Sequence, residues 1–343
     1  MGRDLKQIPV SFLDLANIIQ GDQSAGDAFK RSLTFAQHAE QLGYTRYWFA
    51  EHHNMQSVAS AATAVLIGYI AQGTSSIRVG SGGIMLPNHA PLVIAEQFGT
   101  LESLYPGRID LGLGRAPGTD QATAYALRRN LNGDVDAFPK DVAELIQYLG
   151  PEDKQGKVRA IPGVGTKVPV WLLGSSTFSA QLAASMGLPF GFASHFAPAQ
   201  LVPALQIYHS TFKPSEFLKE PYAMACVNVI ASDTDAEAQY LASSFYQLVL
   251  GMIRSTRKPL PPPVENIDRL WSNEERAAVY QMLHYSFVGS TETVSKDLAQ
   301  FAAYTGVDEI MIATHMFDVQ AKLRSLELTA SLFRTNKAET VIR

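Results

Sequence analysis

The sequence predicts an eight-stranded (β/α) barrel, and three observations carry that expectation. Short β-branched or aromatic runs alternate with longer segments of helical periodicity, as in parallel βαβ units. The runs number eight, which is the count a closed barrel requires. The chain has 343 residues, 46% hydrophobic and 17% charged, enough to bury one large core without disulfides. An open doubly wound sheet is the alternative, because periodicity counts strands without showing whether the sheet closes.

Strands are expected at 8–14, 45–50, 77–86, 108–114, 168–174, 189–194, 223–231 and 308–314. Helical faces lie between them. Phe29, Leu33 and Ala36 are spaced i, i+4, i+7, as are Ile94, Phe98 and Leu101, and Val319, Leu323 and Leu326. Gly43, Gly107, Gly187 and Gly306 each fall between a helical pattern and the next strand, where C-caps belong. Two intervals exceed simple connections. The first, 115–167, follows strand four. The second, 232–289, follows strand seven and holds a helical stretch at 234–250 and the run Pro259-Leu260-Pro261-Pro262-Pro263. A helix at 291–304, capped by Ser290 or Thr291, then leads to strand eight. Both insertions belong on the C-terminal side of the barrel. The interval 232–289 is the candidate lid, with a structural flap or subunit contact as the other reading. No repeat or linker divides the chain, so 1–343 reads as a single domain.

Composition excludes several classes. One cysteine, Cys226, allows neither an internal disulfide nor a thiolate cluster, and its apolar surroundings make it a small buried hydrophobe. A net charge of −4 without a basic stripe gives no footprint for nucleic acid or an anionic membrane. The N-terminal MGRDLKQIPVSF is too polar for a secretory signal, and no run approaches the roughly 20 apolar residues of a membrane helix. The chain reads as a soluble cytoplasmic protein.

The histidines are unevenly placed. His52 and His53 end strand two, His89 follows strand three, His195 ends strand six and His315 ends strand eight. In a barrel all five reach the C-terminal mouth, where side chains read as functional. His38, His209 and His284 fall on expected helices and read as packing or surface residues. Glu51-His52-His53 is the sharpest cluster. An imidazole there suits proton transfer near neutrality; the bland alternative has Glu51 and His53 on one side, His52 opposite, each merely hydrogen-bonded. A metal centre built from His52, His53, His195 and His315 competes with it. The absence of His-x-His in any strand counts against the metal.

Gly80-Ser81-Gly82-Gly83 lies inside strand three, where glycines mark a close approach by a ligand or another backbone. Leu111-Gly112-Leu113-Gly114-Arg115-Ala116-Pro117-Gly118 imitates a dinucleotide fingerprint, but its spacing is G-x-G-x-x-x-G and Pro117 interrupts the required helix. Arg115 is better read as an anion contact, with Arg128 and Arg129 either assisting or lying on a solvated face. Gly174-Ser175-Ser176-Thr177-Phe178-Ser179 closes strand five and opens a helix, whose N–H groups and hydroxyls form an anion site.

These residues resemble the bacterial luciferase-like flavin monooxygenases. Tyr47-Trp48-Phe49-Ala50-Glu51-His52-His53 is similar to the family's strand-two motif. Gly80 through Pro91, Glu96, and Tyr105-Pro106-Gly107-Arg108 to Gly114-Arg115 follow in order, then residues 169–179, Gly187-Leu188-Pro189 and Thr305-Gly306-Val307-Asp308-Glu309-Ile310. The resemblance spans nearly the whole chain. It implies a barrel that takes reduced FMN from a separate reductase and uses O2 to oxidise a small organic substrate. It places His52 at the catalytic position, with Glu51 orienting His52 or its neighbours. It also puts Arg115, Ser176 and Ser179 at the phosphate, with Ser175 beside them, and a cis peptide between Gly82 and Gly83 under the flavin ring. A homodimer is expected on the same ground. The superfamily also includes enzymes of the deazaflavin F420 that transfer hydride, and a flavin-binding protein without oxygen chemistry is a further alternative.

Overall fold

The ends of a row of parallel strands find each other here. In the computed structural model, which describes residues 4–116, 121–127, 137–256 and 258–333, nine parallel strands are present. They are β1 (Val10–Asp14), β2 (Arg46–Phe49), β3 (Arg78–Met85), β4 (Ile109–Gly114), β5 (Val170–Gly174), β6 (Phe190–Phe192), β7 (Ala223–Ser232), β8 (Ser286–Ser290) and β9 (Glu309–Ala313). β1 to β7 pair in chain order, β7 pairs with β9, and β9 returns to β1, closing an eight-stranded ring. The expected (β/α)8 TIM barrel is therefore the fold, and an open sheet is excluded. Each of the eight expected strands overlaps a ring strand, with ends agreeing to within two residues.

The ninth strand corrects the reading of 232–289. β8 lies at the end of that interval and pairs with the second half of β7, from Asn228↔Ser286 to Ser232↔Ser290. β7 is long enough to serve both partners: its first half closes the ring and its second half carries β8 beyond it. The five residues of β8 are too few, and too interrupted by Gly289, to announce a strand by alternation.

The helices are α1 (Ala25–Leu42), α2 (Thr63–Gln72), α3 (Pro91–Leu104), α4 (Gln121–Leu127), α5 (Phe138–Leu149), α6 (Thr177–Met186), α7 (Leu201–Thr211), α8 (Asp235–Ile253), α9 (Asn273–Met282), α10 (Thr291–Thr305) and α11 (Val319–Phe333). α1 starts at a capping box of Ser24 and Asp27 and stops at Gly43, whose φ of 81° is left-handed. Gly187 and Gly306 stop α6 and α10 in the same way. Gly107 does not: Tyr105 caps α3, and Gly107 takes its positive φ in the following turn. Ser290, rather than Thr291, caps α10 by accepting the Thr293 N–H. His284 lies between α9 and β8, not on a helix. None of the described helices is long and apolar enough to cross a membrane.

Alternation along the ring strands fills the barrel unevenly. At its N-terminal end sits a buried ionic plug. Arg46 bonds Asp110 at 2.7 Å and Glu309 at 3.0 Å, and Arg78 bonds Asp110 at 2.5 Å. The Ser11 and Tyr222 hydroxyls donate to Glu309, and Trp48 Nε1 donates to Asp110 at 3.1 Å. Burial alone would raise the Asp110 carboxyl, but Arg46 and Arg78 outweigh it and hold it below the usual carboxylate range. Above the plug, Trp48 and Trp171 meet edge to face at 5.3 Å among Leu13, Met224 and Met311. Nearer the mouth the same cluster is lined by Ala50, Cys226 and Ala313. Cys226 is buried as expected, and burial pushes its thiol up. The barrel is thus packed below and lined by small side chains above. Arg46→Met should cost about 3–5 kcal/mol of stability, because it strands the buried Glu309 without a cation and leaves Asp110 to Arg78 alone. Guanidinium unfolding checks this; a loss under about 1 kcal/mol would mean that the plug does not act as a unit.

The segment between β7 and α10 builds a second core in which Phe245, Tyr246 and Val249 of α8 join Trp271, Val279 of α9 and Met316. Its proline run is stitched to the loop after β1, where Leu260 donates to Ile18 and accepts from Gln20, both at 2.8 Å.

Candidate active site

The exits of β2 and β3 come together through a buried carboxylate. Glu51 is 1% exposed, and its Oε1 lies 2.8 Å from both His53 Nε2 and His89 Nε2, while Oε2 accepts the Met85 N–H at 3.1 Å. Burial acts to raise this carboxyl, but the bond and charge of His89, with the bonds from His53 and Met85, hold it below the usual carboxylate range. The bonds expected of Glu51 therefore run to His53 and His89. Just past the end of β2, Glu51 and His53, two residues apart, therefore face each other.

His52 takes the other direction, toward His195. A charge on His52 opposes one on His195, whose pKa is pushed down to about 3, first by burial and then by His52. His195 Nδ1 is enclosed and meets no partner among the described residues, and its carbonyl accepts from Asn228 at 2.6 Å. His315, just past β9, stacks on Phe245 at 4.6 Å and faces Asn17 Oδ1 at 3.1 Å. Its pKa is also pushed down to about 3, by burial, then by Lys322 and His195. Both imidazoles are held neutral. Because the unfolded chain binds their protons from about pH 6.5 down and the native one only near pH 3, stability should fall across that window and be flat above it. His315→Gln should remove about one proton from the uptake on unfolding near pH 5. Denaturation midpoints across pH measure this; an unchanged slope would refute it. His52, His53, His195 and His315 form no metal-capable group among the described residues.

Gly82 and Gly83 are joined by a cis peptide. A Cβ on Gly82 would lie 2.7 Å from Leu13 Cδ1, and one on Gly83 would lie 2.7 Å from both the Gly112 carbonyl and Leu173. Close approach of β4 and the barrel interior thus requires small residues here. Gly80 answers to packing alone, against Asp110 and Trp48.

The exits of β4 and β5 come next round the ring. The Arg115 guanidinium sits 4.0 Å over the Phe178 ring in the first turn of α6. Ser176 is the N-cap of α6 but makes no capping hydrogen bond, Ser179 is buried, and Ser175 is exposed just before. The Thr177 N–H reaches Gln200 Oε1 at 3.3 Å. Arg115, Ser175, Ser176 and Ser179 are therefore gathered at one helix N-terminus. Arg128 lies outside the described residues. Phe178, Gln200 and the bond from His89 to Glu51 were missed in the sequence; only Phe178 left a trace, inside the Ser-Ser-Thr-Phe-Ser motif.

The profile of the luciferase-like monooxygenases matches residues 10–309. The chain belongs to that family. A luciferase-like monooxygenase of Escherichia coli (strain K12) is 55% identical over 323 residues, covering 94% of this chain and 96% of that one. The N-acetyl-S-alkylcysteine monooxygenase of Bacillus subtilis (strain 168) is 40% identical over 190 residues, 54% of this chain and 57% of that one. The solved structure of apo-MsnO8 superposes with a TM-score of 0.89 at 32% identity, covering 96% of this chain and 100% of that one. This luciferase-like monooxygenase also shares its fold with an FMN complex of the oxygenating constituent of 3,6-diketocamphane monooxygenase and with an F420-dependent secondary alcohol dehydrogenase, at 18% and 15% identity and TM-scores of 0.71 and 0.66.

Proposed function

We propose that this luciferase-like monooxygenase binds FMN at the barrel mouth and, with O2 and reduced FMN from a separate reductase, oxidises a small organic substrate. The observation that carries this reading is the gathering of Arg115 and the Ser176–Ser179 turn at one side of a mouth walled by Gly82 and Gly83. An anion fits the first and a flat ring fits the second. When bound, reduced FMN would supply the electrons that activate O2.

The protein's own share is positional. Arg115 would hold the phosphate charge, its plane kept in place by Phe178. The N-terminus of α6 adds backbone N–H groups and the hydroxyls of Ser175, Ser176 and Ser179. Ala50, Gly82 and Ala313 keep the side chains on that part of the barrel small, which suits a flat ring above them. His52 would move a proton at the reacting substrate, beside a His195 too hard to charge to compete for it. Glu51 acts through His53 and His89 as a positioning residue.

FMN is favoured over F420 because relatives at 55% and 40% identity carry monooxygenase names, whereas the F420-dependent enzyme shares only the fold. Fluorescence titration with each cofactor, then turnover with reduced FMN and O2 and mass spectrometry of products, tests the reading; N-acetyl-S-alkylcysteines are the first substrates to try. Binding of F420 with stoichiometric substrate reduction and no FMN affinity would overturn it. FMN binding without O2 consumption on any substrate would leave a flavin carrier.

A further inference from the structure

We propose that Glu51, His53 and His89 form a zinc-type divalent cation site at the β2 and β3 exits, separate from the phosphate and ring positions of the mouth. Among the described residues their ligand atoms all lie within 4.8 Å of one another. Both imidazole Nε2 atoms stand 2.8 Å from the same oxygen, Glu51 Oε1. Bonds of about 2.0–2.1 Å to one ion place ligand atoms roughly 2.9–3.3 Å apart, so both Glu51–imidazole distances are already close to those an ion would set.

The arrangement around these atoms is that of a ligand set. Glu51 is buried, and the Met85 N–H holds Oε2, leaving Oε1 as a single donor with a fixed direction. The His53 and His89 side chains are 13% and 27% exposed, so water can complete the coordination. Two imidazoles and one carboxylate are a donor set typical of zinc with open positions. The three residues come from two strand exits, 38 residues apart at the widest. A cation there would fix the exits that flank Gly82 and Gly83. Each imidazole would present the Nε2 lone pair in place of the Nε2 proton it now directs at Glu51, carrying its proton on Nδ1.

The test uses the full chain without an affinity tag, stripped by a chelator and titrated with Co2+ and with Zn2+. One equivalent should bind, with the visible absorption of low-coordinate Co2+, and the thermal midpoint should rise. His89→Ala and Glu51→Gln should weaken binding by more than about 100-fold, whereas His209→Ala should leave it unchanged. A second measurement needs no variant: the imidazole nitrogen resonances of His53 and His89 should both move with the first equivalent of Zn2+. No binding by the unaltered chain, unmoved resonances, or binding that persists in folded His89→Ala would overturn the proposal. These readouts use no flavin, so their failure leaves the FMN reading standing.

Discussion

Arg115→Ala should weaken FMN binding by about 10- to 150-fold while changing riboflavin binding by less than about threefold, the range expected for loss of one charge-assisted hydrogen bond. The two ligands share the ring and ribityl chain and differ in the phosphate, so their ratio isolates the anion contact. Arg115 has no acidic partner among the salt bridges of the described residues; its contact is the Phe178 ring, which orients the guanidinium without neutralising it. Raising ionic strength should narrow the gap between the two ligands, because an exposed part of the phosphate interaction is screened. Equal losses for FMN and riboflavin would remove Arg115 from the phosphate and return the α6 N-terminus to ordinary capping.

His52→Ala should lower turnover by about 100- to 10,000-fold, the range of general acid–base catalysis, and leave FMN affinity within a few fold. Phosphate binding falls to Arg115 and the α6 turn in this reading, so FMN affinity serves as the control. Its alternation against Glu51 and His53 gives it the one direction on that strand exit not tied to the buried carboxylate. His195 offers no substitute, since its pKa near 3 keeps it from accepting a proton at neutral pH. Single-turnover oxidation with reduced FMN and O2 measures the effect; an unchanged oxygenation rate would show that the proton moves elsewhere. His195→Ala, by contrast, should lower turnover far less than His52→Ala.

Much of this was legible before any coordinates. Eight strands came from short β-branched or aromatic runs set between helical patterns, and α3 from Ile94, Phe98 and Leu101, all of which are buried. Gly43, Gly187 and Gly306 marked helix ends because left-handed backbone excludes most other residues. β8 was illegible because five residues with a central Val-Gly carry neither period, and its strand character comes from the unpaired second half of β7. Glu51 was expected to orient His52 or its neighbours; its hydrogen bonds run to His53 and to His89, the second of which lies too far along the chain for adjacency to suggest it.

The sequence by itself determined the eight ring strands, the helix ends at Gly43, Gly187 and Gly306 and the family resemblance, because apolar runs, turn chemistry and motifs are local properties of the chain. Only the tertiary structure decided which distant groups meet. Arg46 and Glu309, 263 positions apart, seal the bottom of the barrel; Glu51 and His89, from neighbouring strands, share one oxygen; and Arg115 settles on Phe178 across two strand exits. Those meetings follow from ring closure, strand stagger and the lengths of the exits. A pattern of period two or 3.6 records which face is buried, but not what the buried face touches.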